Sequence, residues 1–241
     1  MASVAENLAA VEARIKAACT RVGRDPSEVR LLPVSKDQGM DLISDAYEAG
    51  IRLLGENKVQ EAMEKARHLA DHPDLGWAII GHLQTNKARQ VAAMASEFQA
   101  LDSVKVAAAL DQALDDQGRS LDVFLQVNSS GEPQKYGLPP DEVEPFAIAL
   151  RAYETLRVRG LMTLAVLSDD QREIRACFER MRDLQRRLQG SDDVAGSYEE
   201  LSMGMSGDLE IAIEYGATTV RVGQAIFGPR PAPDSYWPQT T

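Results

Sequence analysis

The sequence predicts one parallel eight-stranded barrel, an α/β fold of the (β/α)8 TIM type, preceded by an extra N-terminal helix. Short apolar runs alternate with helical patterns about eight times along the 241 residues. The runs are almost continuously apolar, which is typical of strands covered on both faces in a parallel sheet. Eight such units and a leading helix use the whole chain. We therefore expect one barrel domain over residues 1–230 and a proline-rich tail over 231–241 that lies on the surface or frays.

The main alternative is an open, doubly wound sheet. Such a sheet more often carries a glycine-rich turn after its first strand. This chain reads SKDQGM at that point, so the barrel explains the alternation better.

The first element is predicted to be a helix. Ser3 and Glu6 have the spacing of a capping box at its start, and Gly23 suits the position just past its end. The apolar residues expected on one face of this helix are Leu8, Val11, Ile15, Ala18 and Val22.

After this helix the strands and helices alternate. The predicted strands are VRLLPVS (29–35), IRLLG (51–55), WAIIG (77–81), FQALDS (98–103), LDVFLQVN (121–128), LRVRGLMTLA (156–165), EELSMG (199–204) and TTVRVG (218–223). The predicted helices are 40–49, 58–70, 85–96, 104–116, 141–154, 169–189 and 207–215, with a short turn near 224–228. Ser168 and Gln171 have the spacing of a further helix start.

Composition excludes several classes of function. The chain has 26 Lys and Arg against 37 Asp and Glu, a net charge of −11, and such a surface repels nucleic-acid backbones. No apolar run approaches the roughly 20 residues that cross a bilayer, and the N-terminus lacks the apolar core of a signal peptide. We expect a cytoplasmic protein without nucleic-acid or membrane partners, in which Cys19 and Cys177 are reduced thiols.

Chemistry in such a barrel sits where the strands end. Lys36 ends the first predicted strand, and partial desolvation at the barrel mouth favours its neutral amine. A neutral amine there is a nucleophile that forms a Schiff base with an aldehyde. A lysine taken at random is a solvated surface charge, so the prediction depends on this position.

Two glycine turns follow the last two strands, in SMGMSGDLEIAI and VRVGQAIFGPR. Each leads toward a helix start, where exposed N–H groups and the helix dipole bind anions. Loops after the last two strands of a barrel are the usual phosphate site, although Ser206 taken alone is as well explained as a helix cap. An amine opposite a phosphate site suits a phosphorylated aldehyde, either pyridoxal 5′-phosphate or the sugar phosphate of a lysine-dependent aldolase.

A resemblance narrows this choice. LLPVSK, LLGENKVQE, IIGHLQTNK, RGLMTLA, LSMGMSGDLEIAI and VRVGQAIFGPR follow one another in this order. Together they resemble the pyridoxal phosphate homeostasis proteins, single-domain relatives of the alanine racemase N-terminal barrel with the type III pyridoxal-phosphate fold. The resemblance runs from about the first helix to Arg230, nearly the whole chain.

The resemblance implies a set of cofactor-binding residues. Lys36 of VSK would form the Schiff base, Asn57 and His82 would lie beside the cofactor ring, and Arg221 would face the pyridine nitrogen. The residues implied in the phosphate cradle and the pocket wall are Ser206, Gly223, Gln224, Met203 and Met162. Ordinary barrel packing explains the methionines equally well.

The sequence departs from the family pattern at two positions. Gln224 stands where the family often has a small hydroxyl residue, which removes a side-chain donor but leaves the backbone N–H. Asp37 stands where the family often has threonine, and a carboxylate there favours a protonated amine if it points inward.

The resemblance also bears on activity. Amino-acid chemistry on this cofactor uses the ring as an electron sink, and a protonated pyridine nitrogen accepts electrons best. Arg221 is a cation without an acceptor, so it favours the unprotonated ring. In the racemases that resemble this barrel, a tyrosine from an added β domain supplies the second acid/base, and we expect no such domain in this protein. We expect a monomer that buffers or delivers pyridoxal phosphate, with little or no catalysis and transient contacts with pyridoxal-phosphate-dependent apoenzymes. A racemase and a Schiff-base aldolase remain alternatives.

Two further features have weaker interpretations. Lys135, in the polar loop NSSGEPQKYGLPP (128–140), is a candidate second aldehyde site, although a solvated loop lysine is the simpler reading. His68 and His72 have the spacing of a metal pair, but no carboxylate or cysteine cluster accompanies them. We expect a solvated helix end there and no metal.

Overall fold

The predicted barrel is confirmed by the computed structural model, which describes residues 2–229. Its strands are β1 (Arg30–Pro33), β2 (Leu53–Glu56), β3 (Gly76–Ile79), β4 (Glu97–Leu101), β5 (Leu121–Val127), β6 (Leu156–Thr163), β7 (Glu200–Ser202) and β8 (Thr219–Val222). All eight lie in one sheet in the order β1-β8-β7-β6-β5-β4-β3-β2, and the pairs are parallel. The predicted tail at 231–241 lies outside the described residues.

The sheet closes between its two edge strands, β1 and β2. Val34 forms a parallel bridge with Gly55, and the Ser35 N–H donates to the Gly55 carbonyl at 3.0 Å. Closure satisfies backbone groups that an open edge would expose. It also joins the first two strand ends at the mouth of the barrel.

Nine helices are assigned within residues 2–229. They are α1 (Val4–Arg21), α2 (Met40–Glu48), α3 (Val59–His68), α4 (Ala88–Met94), α5 (Val104–Asp115), α6 (Val143–Ala149), α7 (Gln171–Gln189), α8 (Leu209–Glu214) and α9 (Gln224–Phe227). Short 3-10 turns lie at Pro26–Glu28, Thr85–Lys87 and Leu150–Ala152. No helix in this part of the chain is long and apolar enough to cross a membrane.

Helix α1 begins as the sequence predicts. The Ser3 side chain accepts from the Glu6 N–H, and the Glu6 carboxylate accepts from the Ser3 N–H at 2.7 Å, so the capping box is complete. Gly23 follows the C-cap with φ of 69°, a left-handed conformation that favours glycine. Val22, predicted on the buried face, is instead the C-cap residue and is 39% exposed, because the helix ends before that face is continued.

The predicted start of α7 is wrong in its detail. The N-cap is Asp170, whose side chain accepts from the Arg172 N–H at 2.9 Å. Ser168 accepts from the Asp170 N–H at 3.0 Å and so holds the preceding turn. The nearer carboxylate competes successfully for the helix N-terminus because it is charged.

The layer between the helices and the outer face of the sheet is apolar. Buried side chains such as Ile43, Val91, Leu110 and Phe178 pack the helices onto the sheet. Cys19 and Cys177 lie in this layer as buried free thiols.

The barrel interior differs from this layer because polar side chains meet across it. Arg30 of β1 contacts Glu97 of β4 at 3.1 Å. Gln99 donates to Glu97 at 2.6 Å, and Ser202 of β7 donates to the Gln99 carbonyl oxygen at 2.7 Å. Strands β1, β4 and β7 are not neighbours in the sheet, so two of these contacts cross the interior.

The same series of hydrogen bonds continues to the carboxyl end of the barrel. Arg221 of β8 donates to the Ser202 hydroxyl at 2.8 Å and to the Thr163 carbonyl at 2.6 Å. We call this series the cross-barrel chain, and its members are Arg30, Glu97, Gln99, Ser202 and Arg221. Burial raises the pKa of Glu97, and the Arg30 cation opposes that shift. Glu97, Gln99, Ser202 and Arg221 are buried, and a connected buried network of this kind rigidifies an interior.

We expect Gln99→Leu to lower the free energy of unfolding by roughly 2–4 kcal/mol. The change removes two hydrogen bonds and takes a partner from Glu97 and from Ser202, each of which is buried. Urea denaturation measures the effect. Gln112→Leu on α5 is the control, since Gln112 is exposed, and it should stay within about 0.5 kcal/mol of the parent. Equal losses in both variants would contradict the proposed contribution of the chain.

Candidate functional site

Lys36 follows β1 at the seam where the barrel closes. On one side the Ser35 N–H donates to Gly55 of β2, and on the other the Val34 N–H donates to Val222 of β8 at 2.9 Å. The Lys36 side chain is half-buried. Its amine therefore extends from a backbone that two neighbouring strands hold in place.

A buried polar cluster beside Lys36 was missed by the sequence analysis. Glu56, fully buried at the end of β2, accepts from the Ser35 hydroxyl at 2.6 Å. Lys65 of α3 donates to Glu56 and to Glu61, both at 2.6 Å. We call Ser35, Glu56, Glu61 and Lys65 the Glu56 cluster.

A signal for this cluster was present in the sequence. Glu61 and Lys65 have the spacing of an i, i+4 ion pair, on the helix that follows the strand ending in Glu56. Burial raises the pKa of Glu56 to about 7, the Lys65 ammonium opposes this shift, and the Glu61 carboxylate adds to it. Glu56 therefore titrates near neutrality inside the protein.

Asn57 and His82 lie on adjacent strand ends, where β2 and β3 leave the sheet. Gly81 makes this approach possible, because a Cβ there would lie 2.2 Å from the Asn57 carbonyl oxygen. Only glycine fits without a backbone shift. The structure thus brings these two predicted residues together.

His82 has two partners that the sequence did not indicate. Its Nδ1 lies 3.4 Å from the Asp102 carboxylate at the end of β4, and its ring stacks on Tyr136 with centroids 4.2 Å apart. Burial raises the pKa of Asp102, and the charge of His82 opposes that shift. FQALDS was predicted as a strand, and Asp102 near its end was the available signal. Tyr136 lies in the polar loop 128–140, and its contact with His82 is tertiary.

Arg221 is the buried cation of the site, and its side chain crosses the carboxyl end of the barrel. Both partners named above, Ser202 and Thr163, are neutral acceptors. Burial lowers the pKa of Arg221 to about 10, opposed by Asp208. The guanidinium is therefore protonated at neutral pH.

Ser206 lies in the turn after β7, and it does not cap α8. The N-cap is Asp208, whose side chain accepts from the Met205 N–H at 2.5 Å. The Ser206 carbonyl instead accepts from Arg14 at 2.9 Å, and Arg14 pairs with Glu210 at 2.7 Å. Helix α1 thus anchors the turn through the Ser206 backbone, and the capping role considered above for Ser206 is not observed.

The second glycine turn opens the one-turn helix α9, with Gly223 at its N-cap and Gln224 as its first residue. A Cβ at Gly223 would lie 3.1 Å from the Val34 carbonyl oxygen, so the turn packs against the strand that leads to Lys36. Asn7 of α1 donates to the Ile226 carbonyl at 2.9 Å. The same leading helix therefore holds both glycine turns.

Met203 and Met162 are buried beside these strand ends, with 0% and 1% exposure. Both belong to the main hydrophobic core. Packing therefore accounts for their burial, and a contact with a bound ring stays a prediction.

Lys135 has partners both inside and outside its loop. The ammonium donates to the Ala165 carbonyl at 2.8 Å and pairs with Glu132. Asn128 fastens the same loop by donating to the Glu132 carbonyl at 2.8 Å. The solvated reading of this lysine is wrong, because its side chain is only 12% exposed. A role as a second aldehyde site stays a prediction.

The two helix-end histidines have separate local contacts. His68 Nδ1 lies 2.8 Å from the Glu64 carbonyl, and the His72 ring packs on Tyr47 with centroids 4.2 Å apart. Across residues 2–229 no group of three or more His, Cys, Asp or Glu is placed to hold a metal ion.

The predicted site residues share one arc of the barrel mouth. They lie at the ends of five strands that are consecutive around the sheet: β3, β2, β1, β8 and β7. In that order the residues are His82, Asn57, Lys36, Arg221 with Gly223 and Gln224, and Met203 with Ser206. The arc combines an amine, a buried cation and the N–H groups of two turns, which together suit an anionic carbonyl compound.

Known proteins share this architecture. The model for the alanine racemase N-terminal domain matches residues 7–231. The pyridoxal phosphate homeostasis protein of Pseudomonas aeruginosa is 41% identical over 230 residues, which are 95% of this chain and 97% of that protein. The structure of PipY from Synechococcus elongatus with PLP bound has a TM-score of 0.82 and 37% identity, covering 94% of this chain and 100% of that one. Alanine racemase from Streptomyces lavendulae shares the fold, with a TM-score of 0.70 and 20% identity over 94% of this chain and 58% of that one.

We expect Glu56→Gln to remove a pH dependence of stability. The pKa of Glu56 is raised from 4.5 to about 7 by folding, so its contribution is fully present below pH 4.5 and is lost as the pH rises through 7. Relative to the variant, the parent should lose about 3 kcal/mol of unfolding free energy across this window.

Urea denaturation at the two ends of the window measures this difference. Glu64→Gln is the matched control, because Glu64 lies on the same helix and is exposed. It should differ from the parent equally at both pH values. A gap between the parent and Glu56→Gln that does not change with pH would refute the assignment.

Proposed function

The chain belongs to the pyridoxal phosphate homeostasis proteins of the alanine racemase N-terminal domain family, and from this premise we propose that it holds pyridoxal 5′-phosphate on Lys36. We propose further that it buffers the cofactor and delivers it to apoenzymes, with little or no catalysis. The observation that supports the proposal is that β1, β8 and β7, which lead to Lys36 and to the two glycine turns, are consecutive in the sheet, with Arg221 on the middle one. The likeness to PipY with PLP bound supports it.

The residues of the arc fit this cofactor. When bound, pyridoxal phosphate supplies an aldehyde that condenses reversibly with a lysine amine, a phosphate monoester and an aromatic pyridine ring. Lys36 provides the amine. The hydroxyl of Ser206 and the backbone N–H groups of Gly223 and Gln224 would hold the phosphate. Glycine at position 223 lets this turn pack closely against Val34, because a Cβ at position 223 would lie only 3.1 Å from the Val34 carbonyl oxygen.

The ring would lie between polar and apolar side chains. Asn57 and His82 would flank it on the β2 and β3 side, and Met203 would cover it from β7. Arg221 would face the ring nitrogen with a guanidinium that can donate but not accept a hydrogen bond. These are the residues that we assign to the cofactor site.

Arg221 is also the reason that we propose a carrier rather than a catalyst. Its pKa of about 10 keeps it cationic at neutral pH, and a cation disfavours a second positive charge on a ring nitrogen beside it. Electron withdrawal by the ring is then weak. The cross-barrel chain fixes the guanidinium in this role.

The cellular role extends the proposal. We propose that residues 1–230 act as one monomeric unit in the cytoplasm that meets pyridoxal-phosphate-dependent apoenzymes only transiently. The relative in Pseudomonas aeruginosa is named a pyridoxal phosphate homeostasis protein, and the match to it covers 97% of its length. This likeness supports the proposed role. The net charge of −11 disfavours nucleic-acid partners.

A racemase or related enzyme is the second candidate, and one observation favours it. His82 lies between Asp102 and Tyr136 at the barrel mouth. A histidine with a carboxylate partner is a common proton carrier. It is a candidate for the second acid/base that the sequence analysis did not find.

We expect borohydride to trap added pyridoxal phosphate on Lys36. The purified protein should gain a near-visible absorption band that reduction removes, and peptide mass analysis should place the adduct on Lys36. Lys36→Ala should lose both the band and the adduct, because the amine is gone. Lys105→Ala is the control, since Lys105 is exposed on α5, and it should load like the parent. A band that persists in Lys36→Ala would overturn the assignment.

We expect the loaded protein to exchange amino-acid Cα protons far more slowly than the ordinary enzymatic turnover of about 10 per second. The reason is the weak electron sink beside Arg221. Proton NMR in deuterium oxide measures the exchange for a panel of amino acids. Turnover at an ordinary rate that His82→Ala abolishes would instead establish the enzymatic candidate.

A further inference from the structure

We propose that the Glu56 cluster positions Lys36 by holding the residues on both sides of it. The inference rests on the proposed function, because it concerns how the cofactor-binding amine is presented. The cluster members act through the Lys36 backbone and are positioning residues. No chemistry of their own is assigned to them.

On the N-terminal side of Lys36, three groups of Ser35 are engaged. Its N–H donates to Gly55 at 3.0 Å, and its hydroxyl donates to Glu56 at 2.6 Å. Its carbonyl accepts from Lys65 at 2.7 Å. Ser35 and Glu56 are fully buried and Lys65 is 5% exposed, so water competes poorly for these bonds and they are strong.

On the C-terminal side, Asp37 has an unfavourable backbone conformation. Its φ is 59°, a left-handed value that is uncommon for residues other than glycine. Such a residue persists when its surroundings hold it. The Asp37 N–H donates to the Glu61 carboxylate at 2.7 Å, and the Gln38 N–H closes the turn onto Ser35 at 3.1 Å. Lys36 is thus within a turn that Glu61 holds.

Lys65 joins the two sides. An ammonium has three donors, and Lys65 uses them on the Ser35 carbonyl, Glu56 and Glu61. Its charge and its donors are committed to carboxylates and a carbonyl, so it is a poor acceptor for an aldehyde. Lys65 therefore acts as a tie between α3 and the segment that carries Lys36.

The tie has a consequence for binding. A lysine has four rotatable bonds and loses much freedom when it is fixed. Holding the backbone on both sides of Lys36 reduces the freedom that remains to be lost, and preorganisation of this kind favours binding. Val34, two residues before Lys36, donates to Val222 of β8, so the held segment starts from the strand that neighbours Arg221 and Gly223.

Glu61→Ala tests the proposal, because Glu61 is half-buried and its loss should not prevent folding. Glu64→Ala is the matched control on the same helix, where the residue is exposed. Glu61→Gln retains an acceptor for the Asp37 N–H and should rescue part of the effect. Two readouts are independent of each other: hydrogen exchange of the peptide covering residues 35–38 without cofactor, and titration with pyridoxal phosphate followed by borohydride mapping.

We expect Glu61→Ala to accelerate exchange in this peptide and to weaken cofactor binding by about tenfold, the loss expected for one charge-assisted hydrogen bond. The absorption maximum and induced circular dichroism of bound cofactor should also shift, which a general loss of stability would not cause. Glu64→Ala should match the parent in every readout.

Three outcomes would overturn the inference. Unchanged exchange in Glu61→Ala would show that Glu61 does not hold the turn. Accelerated exchange with parental binding and spectra would show that the turn does not position the amine. Equal effects in Glu64→Ala would show that the loss is not specific. If the parent itself fails to load on Lys36, the proposed function fails, and the exchange data still report whether the cluster holds Lys36.

Discussion

The cross-barrel chain is the interaction on which the site depends. It runs from Arg30, where β1 begins, through Glu97, Gln99 and Ser202 to Arg221, where β8 ends. Each buried polar group in it would be costly alone, and each is satisfied by a group on another strand or two residues along its own. The same hydrogen bonds therefore fix both the packing of the barrel interior and the direction of the Arg221 guanidinium. The cation at the mouth cannot be moved without leaving buried acceptors unpaired.

A second polar system, the Glu56 cluster, lies on the other side of Lys36. The cross-barrel chain presents the Arg221 guanidinium at the end of β8. The Glu56 cluster directs no cation to the mouth, because the Lys65 ammonium donates to Ser35, Glu56 and Glu61. Lys36 lies between a strand that supplies a fixed positive charge and a helix that holds its backbone. In the proposed function, the cross-barrel chain would therefore orient a bound ring, and the Glu56 cluster would position the amine that holds it.

Much of the fold could be predicted from local patterns. The capping box of Ser3 and Glu6, the glycine at position 23 and the short helix at Gln224–Phe227 all depend on residues close in sequence. Errors arose where two local interpretations competed. Ser168 and Ser206 both resembled helix caps, but an aspartate two residues later occupies the N-cap position in each case. The Asp170 side chain caps α7 by accepting from the Arg172 N–H, whereas the Asp208 side chain accepts from the Met205 N–H in the preceding turn. At α7 the charged Asp170 carboxylate lies nearer the helix than the Ser168 hydroxyl and takes the capping role. Spacing alone does not rank two such candidates.

The sequence by itself determined the order of strands and helices, the strand ends that bear Lys36, Asn57, His82 and Arg221, and the two glycine turns. These follow from periodicity and turn chemistry, which act over a few residues. Only the tertiary structure decided the partners: Glu97 with Arg30 across the barrel, Asp102 and Tyr136 with His82, and Lys65 with Glu56. The physical reason is that hydrogen bonds and ion pairs act over a few ångströms in space. Closure of the barrel between β1 and β2 makes residues far apart in sequence into neighbours.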